Sequence, residues 1–330
     1  MHSLKLPRQN RLKHSRWSND PRNYGVWMLA VILCPCLMSW GFAAHRKIVD
    51  VAIQHVPEPL HEFFKLHRNW LVEHALDADL RKHAVIGEAE KHYIDLDEFG
   101  ISEYSADCLP PARWDEAIII YGEECLRDRG IGPWNVGWQY QRLVQAFRSQ
   151  NQHRILQCAV DLAHYVADLH VPLHTSANYD GAASGQKGIH ALWETQLPET
   201  YMNEYNLIGP DLPISWHPHC VDSIWDVIIE SHKCLDLVFN AEKETMAEIG
   251  ETNAFSYIIR GKARQKMRSE AFISSYHGKL NGQVEHRMKQ SIQACSIYWY
   301  AAWVQAGQPQ LQEQQSQKSR LNALIEWLKN

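Results

Sequence analysis

Apolar positions recur at helical spacing through most of this chain. From His45 to His55, Ile48, Val49, Ala52 and Ile53 fall on one face, and Pro57 ends the run. Pro59 then opens a second helix toward Ala75. Arg154 to Leu169 carries Ile155, Cys158, Ala159, Leu162 and Val166 as a continuous stripe, which predicts a helix with one face in the core. Ser223 to Ile249 and Phe255 to Met267 also read as helices, and Val284 to Ala306 places Met288, Ile292, Cys295 and Trp299 along one side. No convincing alternation of period two interrupts the series. The expected fold is therefore all-α, a single compact multi-helix domain. Three stretches read as loops: Glu98 to Arg113 with Pro110-Pro111, Asn178 to Lys187 rich in Gly, Ala and Ser, and Ser215 to His219. After Gly307 the chain turns Gln-rich, so 307–330 reads as a tail with a short helix from Leu321 to Leu328.

The predicted helix at 154–169 has a second face that is polar for a reason. His164 and Asp168 stand four residues apart, as do His190 and Glu194, so each pair projects from one side of its own helix and can grip one ion. A single pair of this kind among 19 histidines reads most simply as a surface pair; two within one stretch are rarer. Pro172 disfavours helix at Val171 and re-aims the chain, leaving His174 beyond the helix end and free to meet a second ion. Imidazole plus carboxylate without thiolate is the ligand set of hydrolytic zinc rather than of a sealed structural finger.

The start of the chain adds a further element. Residues 1–25 hold six Lys/Arg against one acid, and Val26 to Met38 is an uncharged apolar run. That is the form of a secretory signal with a long n-region, and the length of that region leaves Met28 open as the true start. The run is short for a membrane span, which makes an uncleaved anchor the weaker reading. Cleavage after Ser39 would expose Trp40, whose α-amino group loses its proton easily to a metal ion. A tryptophan that simply begins a core helix is the competing reading.

These residues resemble the superfamily that joins zinc-dependent phospholipases C to secreted single-strand nucleases, and the resemblance covers most of the chain after residue 39. It implies a multi-helix fold around a cleft with three zinc ions. Carried over residue by residue, it implies that Asp77, His92, His164 and Asp168 hold one zinc and that His174, His190 and Glu194 hold a second. Trp40, His45 and a bridging Asp168 hold the third. Asp79 lies two residues from Asp77 and competes with it for the same role. The short Trp40 to His45 spacing and Trp193 resemble the nucleases, whereas Glu194 leans toward the phospholipases.

The implied activity is hydrolysis of a phosphodiester by metal-activated water, with Asp77 and Asp168 as catalytic residues. Single-strand nucleic acid is slightly preferred as substrate over a phospholipid headgroup, and no stable protein partner is expected. Membrane contact is expected only through the leader or a lipid substrate. A non-catalytic, exported zinc-binding protein is the alternative outside the enzymes. Taking the six basic and one acidic residues of 1–39 from 33 Lys/Arg and 38 Asp/Glu leaves a net charge of −10. That acidity argues mildly against broad electrostatic capture of polynucleotides, which recruits Lys/Arg contacts to phosphate. Six of the eight cysteines, Cys108, Cys125, Cys158, Cys220, Cys234 and Cys295, lie beyond the leader. In an exported protein, periplasmic or extracellular, they permit up to three disulfides; buried thiols are the other reading.

Overall fold

The computed structural model describes residues 42–82, 84–101, 109–208, 223–260 and 263–311. Helix accounts for 68% of the structure, and among the described residues the only sheet is a two-stranded hairpin. The order begins with α1 (Phe42–His55), α2 (Leu60–Leu66), α3 (Arg68–His74) and α4 (Asp77–Arg81). The expected helix from Pro59 to Ala75 is thus two helices, which meet at His67. A 3₁₀ turn, Ala89–His92, follows, then α5 (Trp114–Tyr121), α6 (Glu123–Asp128), α7 (Gly132–Arg148) and α8 (Gln152–Asp168). Past a second 3₁₀ turn, Pro172–Thr175, come α9 (Ile189–Ala191), a π-helical turn (Leu192–Gln196) and α10 (Leu197–Tyr201). The series closes with α11 (Ile224–Lys233), α12 (Leu235–Ile249), β1 (Phe255–Arg260), β2 (Ala263–Arg268), α13 (Glu270–Lys279) and α14 (Gln283–Gln305).

Two long helices make the wall on which the rest depends. α8 is capped by Asn151, whose side chain accepts from the Arg154 amide, and it packs along α7. α14 lies across α1, α7 and α8. At that crossing Trp299 is fully buried, packs at a tilt against Phe64 with ring centroids 4.9 Å apart, and donates its indole N–H to the Ala159 carbonyl at 2.9 Å. The Ser296 hydroxyl donates to the Ala52 carbonyl at 2.9 Å, so this buried polar group is satisfied. Close backbone approach brings the 3₁₀ turn to α7. Gly130 has φ +89, and a Cβ there would stand 2.3 Å from the Tyr93 carbonyl oxygen.

One sequence expectation fails. Residues 255–268 form a hairpin rather than a helix, with Phe255 opposite Arg268 and Arg260 opposite Ala263. The aromatic and β-branched run Phe255, Tyr257, Ile258 and Ile259 favours the extended state. Ser223 to Ile249 is likewise broken at Cys234 into α11 and α12. Cys125, Cys158, Cys234 and Cys295 are free thiols, so none of these four enters a disulfide of the kind the count permits. Cys108, Cys220, the 215–219 loop and the Leu321 helix lie outside the described residues. No helix among the described residues is long and apolar enough to cross a membrane.

Candidate metal centre

The inner end of α8 delivers His164 and Asp168, both about 1% exposed. The His164 Nδ1–H donates to the Ala75 carbonyl at 2.9 Å, which fixes the tautomer and leaves Nε2 as a bare lone pair. That Nε2 lies 3.5 Å from Asp79 Oδ1 and 3.4 Å from Asp168 Oδ2. From the 3₁₀ turn, His92 donates its Nδ1–H to Asp168 Oδ2 at 2.6 Å and keeps its Nε2 buried without a partner. His45, on α1, stacks on His164 at 4.2 Å and sets its Nε2 3.3 Å from Asp168 Oδ1 and 3.6 Å from Glu194 Oε1. Asp168 therefore faces His92 and His164 with one oxygen and His45 with the other.

The second cluster uses the same device. The His174 Nδ1–H donates to the His92 carbonyl at 2.7 Å, aiming its Nε2 at the His190 Nε2, 3.0 Å away. Glu194 Oε2 is 2.7 Å from His190 and 3.4 Å from His174. Pro172 starts the 3₁₀ turn that turns His174 inward, as its position after the helix predicts. His170, between the two motifs, is not part of the centre; its Nδ1–H bonds the Val166 carbonyl one turn back.

Three groups thus bring ligand atoms within reach of a single ion: His45, His164 and Asp168; Asp79, His92 and His164; His174, His190 and Glu194. The donor chemistry fits metal. His92 Nε2, His164 Nε2 and Asp168 Oδ1 are buried with no hydrogen-bond partner among the described residues, a cost that coordination would remove. Burial opposes charge on His164, yet Asp168 and Asp79 outweigh it and hold the imidazole well above its ordinary pKa. Burial likewise opposes ionisation of Asp168, and His164 and His174 hold it well below the carboxylate range. The cluster favours positive charge at its centre, which a divalent ion would supply in place of protonated imidazole.

Asp77 takes no part in this. Its carboxylate accepts from His74 Nδ1 at 2.8 Å and is 39% exposed, whereas Asp79 reaches His164. Side chains two apart on a helix point to nearly opposite sides, so α4 can turn only one of the two toward α8. Trp40 lies outside the described residues; His45, His92, His164, Asp168, His174, His190 and Glu194 converge.

Sequence reasoning missed the groups that hold these residues. Glu88 is 2% exposed and joins three elements: it accepts from Arg81 on α4 (3.1 Å), from Lys91 in the 3₁₀ turn (2.6 Å) and from Tyr165 on α8. Those elements carry Asp79, His92 and His164. The Tyr165 ring also packs edge-on against His92 and His164. Lys82 was missed as well; its Nζ sits 2.7 Å from Asp79 Oδ1. Burial opposes the Lys82 charge, but Asp168 and Asp79 hold its pKa above the ordinary value.

Beside the centre opens a cavity of about 300 Å³, lined among others by Lys82, His92, Tyr93, Asp95, His174, Tyr179 and His190. The Gly-rich loop after His174 contributes Tyr179, which is 54% exposed and stands edge-on to His190 at 5.7 Å. Burial, with Asp97 and Glu98 nearby, pushes the Asp95 carboxyl up to about 7. Comparison with known proteins adds no name to this geometry. The chain matches no protein-family model and no curated protein.

Proposed function

We propose that the protein is an exported zinc-dependent phosphodiester hydrolase with single-strand nucleic acid as its substrate class. The observation that carries this reading is the gathering of five histidines and three carboxylates into three groups, two of which share His164, with His92, His174 and His190 lining an open cavity. A storage site would close its ligand shell, whereas His92, His174 and His190 border an accessible space. Asp79, His92 and His164 would hold one ion, His174, His190 and Glu194 a second, and His45 with Asp168 a third. Trp40, freed by removal of residues 1–39, would complete that third set through its amine and carbonyl. Zinc in these positions supplies Lewis acidity, which activates water and offsets charge on phosphoryl oxygens.

The chain's own groups divide the remaining work. Asp79, kept ionised by His164 and Lys82 despite its burial, can orient an attacking water or accept its proton, the role the sequence assigned to Asp77. Lys82 sets a fixed positive charge at the cavity wall, where phosphoryl oxygens would lie. Tyr93 and Tyr179 give the cavity aromatic walls, which suit a stacked base better than an acyl chain. The test is a side-by-side assay of the processed protein on single-stranded DNA and on phosphatidylcholine, each with and without chelator, with metal content measured in parallel. Chelator-sensitive DNA cleavage is expected. Headgroup release alone would replace the substrate with phospholipid, and tightly bound zinc with no hydrolysis would leave a binding protein.

A further inference from the structure

The loop from Ala177 to Gly188 separates the two histidines of the second cluster. Half of its residues are glycine or alanine, so side-chain packing can hold it only weakly. It is organised instead by crossing itself. The Gln186 amide donates to the Gly181 carbonyl at 2.7 Å, and at Gly181, with φ +72, a Cβ would stand 2.5 Å from the Gln186 carbonyl oxygen. From that crossing one arm leads to Tyr179, because the Gly181 amide donates to the Asn178 carbonyl at 2.9 Å. The other leads to His190: the Ile189 amide donates to the Gln186 carbonyl at 3.2 Å, and the Gly188 amide donates to Asp180 Oδ1 at 3.1 Å.

The Gln186 side chain fixes this crossing to the rest of the molecule. Its Nε2 donates to the Phe239 carbonyl at 2.7 Å and to Glu242 Oε2 at 2.8 Å, which uses both of its protons. Glu242 is buried on α12, and its other oxygen accepts from the buried Arg268, whose guanidinium packs over the Phe255 and Phe272 rings. A hydrogen bond to a buried, charge-paired carboxylate is stronger than one between neutral groups at the surface. Among the described residues the only other hydrogen bonds leading out of the loop lie at its start, where Ser176 and Ala177 donate to Asp97 at 2.6 and 3.0 Å. The far end is seated by Ile189, which is fully buried. We infer that Gln186 is a positioning residue for the second ion: it pins the loop crossing to α12 and thereby sets where Tyr179 walls the cavity and how His190 meets His174 and Glu194. This role rests on the proposed function for its ion, whereas the pin is a property of the chain alone.

The test compares the processed protein with Gln186→Met, since methionine is close to glutamine in length and lacks both donors. Lys187→Met, at the exposed neighbouring position, is the control. Zinc is titrated against a chromophoric chelator, and the ion of the second cluster is identified as the one that a His190→Ala variant lacks. In Gln186→Met that ion should be held about tenfold more weakly, with the other ions unchanged. Amide hydrogen exchange, measured without metal, should be faster across residues 177–190 and the same across α7. The control should match the parent in both measurements. Equal affinity for that ion, or equal exchange across the loop, in the parent and Gln186→Met would overturn the role of Gln186. So would a uniform weakening of every ion with faster exchange in α7, which would make Gln186 a support of the whole fold. If the parent takes up no zinc, the proposed function fails, while the exchange still decides the pin.

Discussion

The side chains of His45, His92, His164 and Asp168 stand among long helices and are at most 5% exposed, whereas His190 and Glu194 stand on a short mixed helix at 27% and 16%. The first group is held from behind by Glu88, Tyr165 and the Ala75 carbonyl. The second is fixed mainly through His174 and its bond to the His92 carbonyl, with the Gly-rich loop on its open side. Preorganisation is therefore uneven: an ion nearest α8 would meet a prebuilt cage, and an ion at His174, His190 and Glu194 would meet one that can yield. That unevenness predicts that a chelator strips the His190 ion first.

Substitution at Asp168 should break this contrast most completely. Asp168→Asn removes the carboxylate that faces both His45 and the His92 and His164 pair, so turnover should fall by roughly a hundredfold or more, with loss of more than one equivalent of metal. Near-normal metal content and rate would end the assignment. Asp79→Asn should remove activity on a comparable scale while Asp77→Asn stays close to the parent, because only Asp79 reaches His164. The reverse ranking would restore the sequence assignment.

Glu88→Gln sharpens the comparison without touching a ligand. It should weaken the ion of Asp79, His92 and His164 by about 10- to 100-fold in chelator competition and leave the His190 ion unchanged. Equal weakening of both ions would mean that Glu88 supports the fold in general. The smallest effect is expected at Asp95. With its pKa raised to about 7, the folded chain holds a proton that the unfolded chain releases, so this group costs stability increasingly as pH rises from about 4 through 7. Asp95→Asn should therefore melt higher than the parent at about pH 8 and together with it near pH 4. Equal melting temperatures at both pH values would remove Asp95 from the electrostatics of the cavity.

Much of this arrangement was legible because helical spacing and ligand spacing coincide. The His164 and Asp168 pair lies on the same helix as the apolar stripe from Ile155 to Val166, and both faces appear in α8 as read. The choice between Asp77 and Asp79 was not legible, since it depends on the rotation of a five-residue helix against α8. Glu88 escaped notice because its role is to join chain segments up to 77 residues apart, and spacing says nothing of that. α7 lacked a clean stripe because it is buried nearly all round at its N-terminal end, from Gly132 to Val136. The hairpin did carry a signal, basic residues at every second position from Arg260 to Arg268, but it was read for apolar periodicity alone.

The thiols at Cys125, Cys158, Cys234 and Cys295 have a practical side. None of these four is cross-linked, so the helices that carry them are held by packing alone and should keep their fold under reducing conditions. Cys295, sealed beneath α8 with burial pushing its thiol pKa far up, will resist alkylation until the protein opens. A loss of activity in dithiothreitol would then register competition of the reagent for zinc, and added zinc in excess should reverse it.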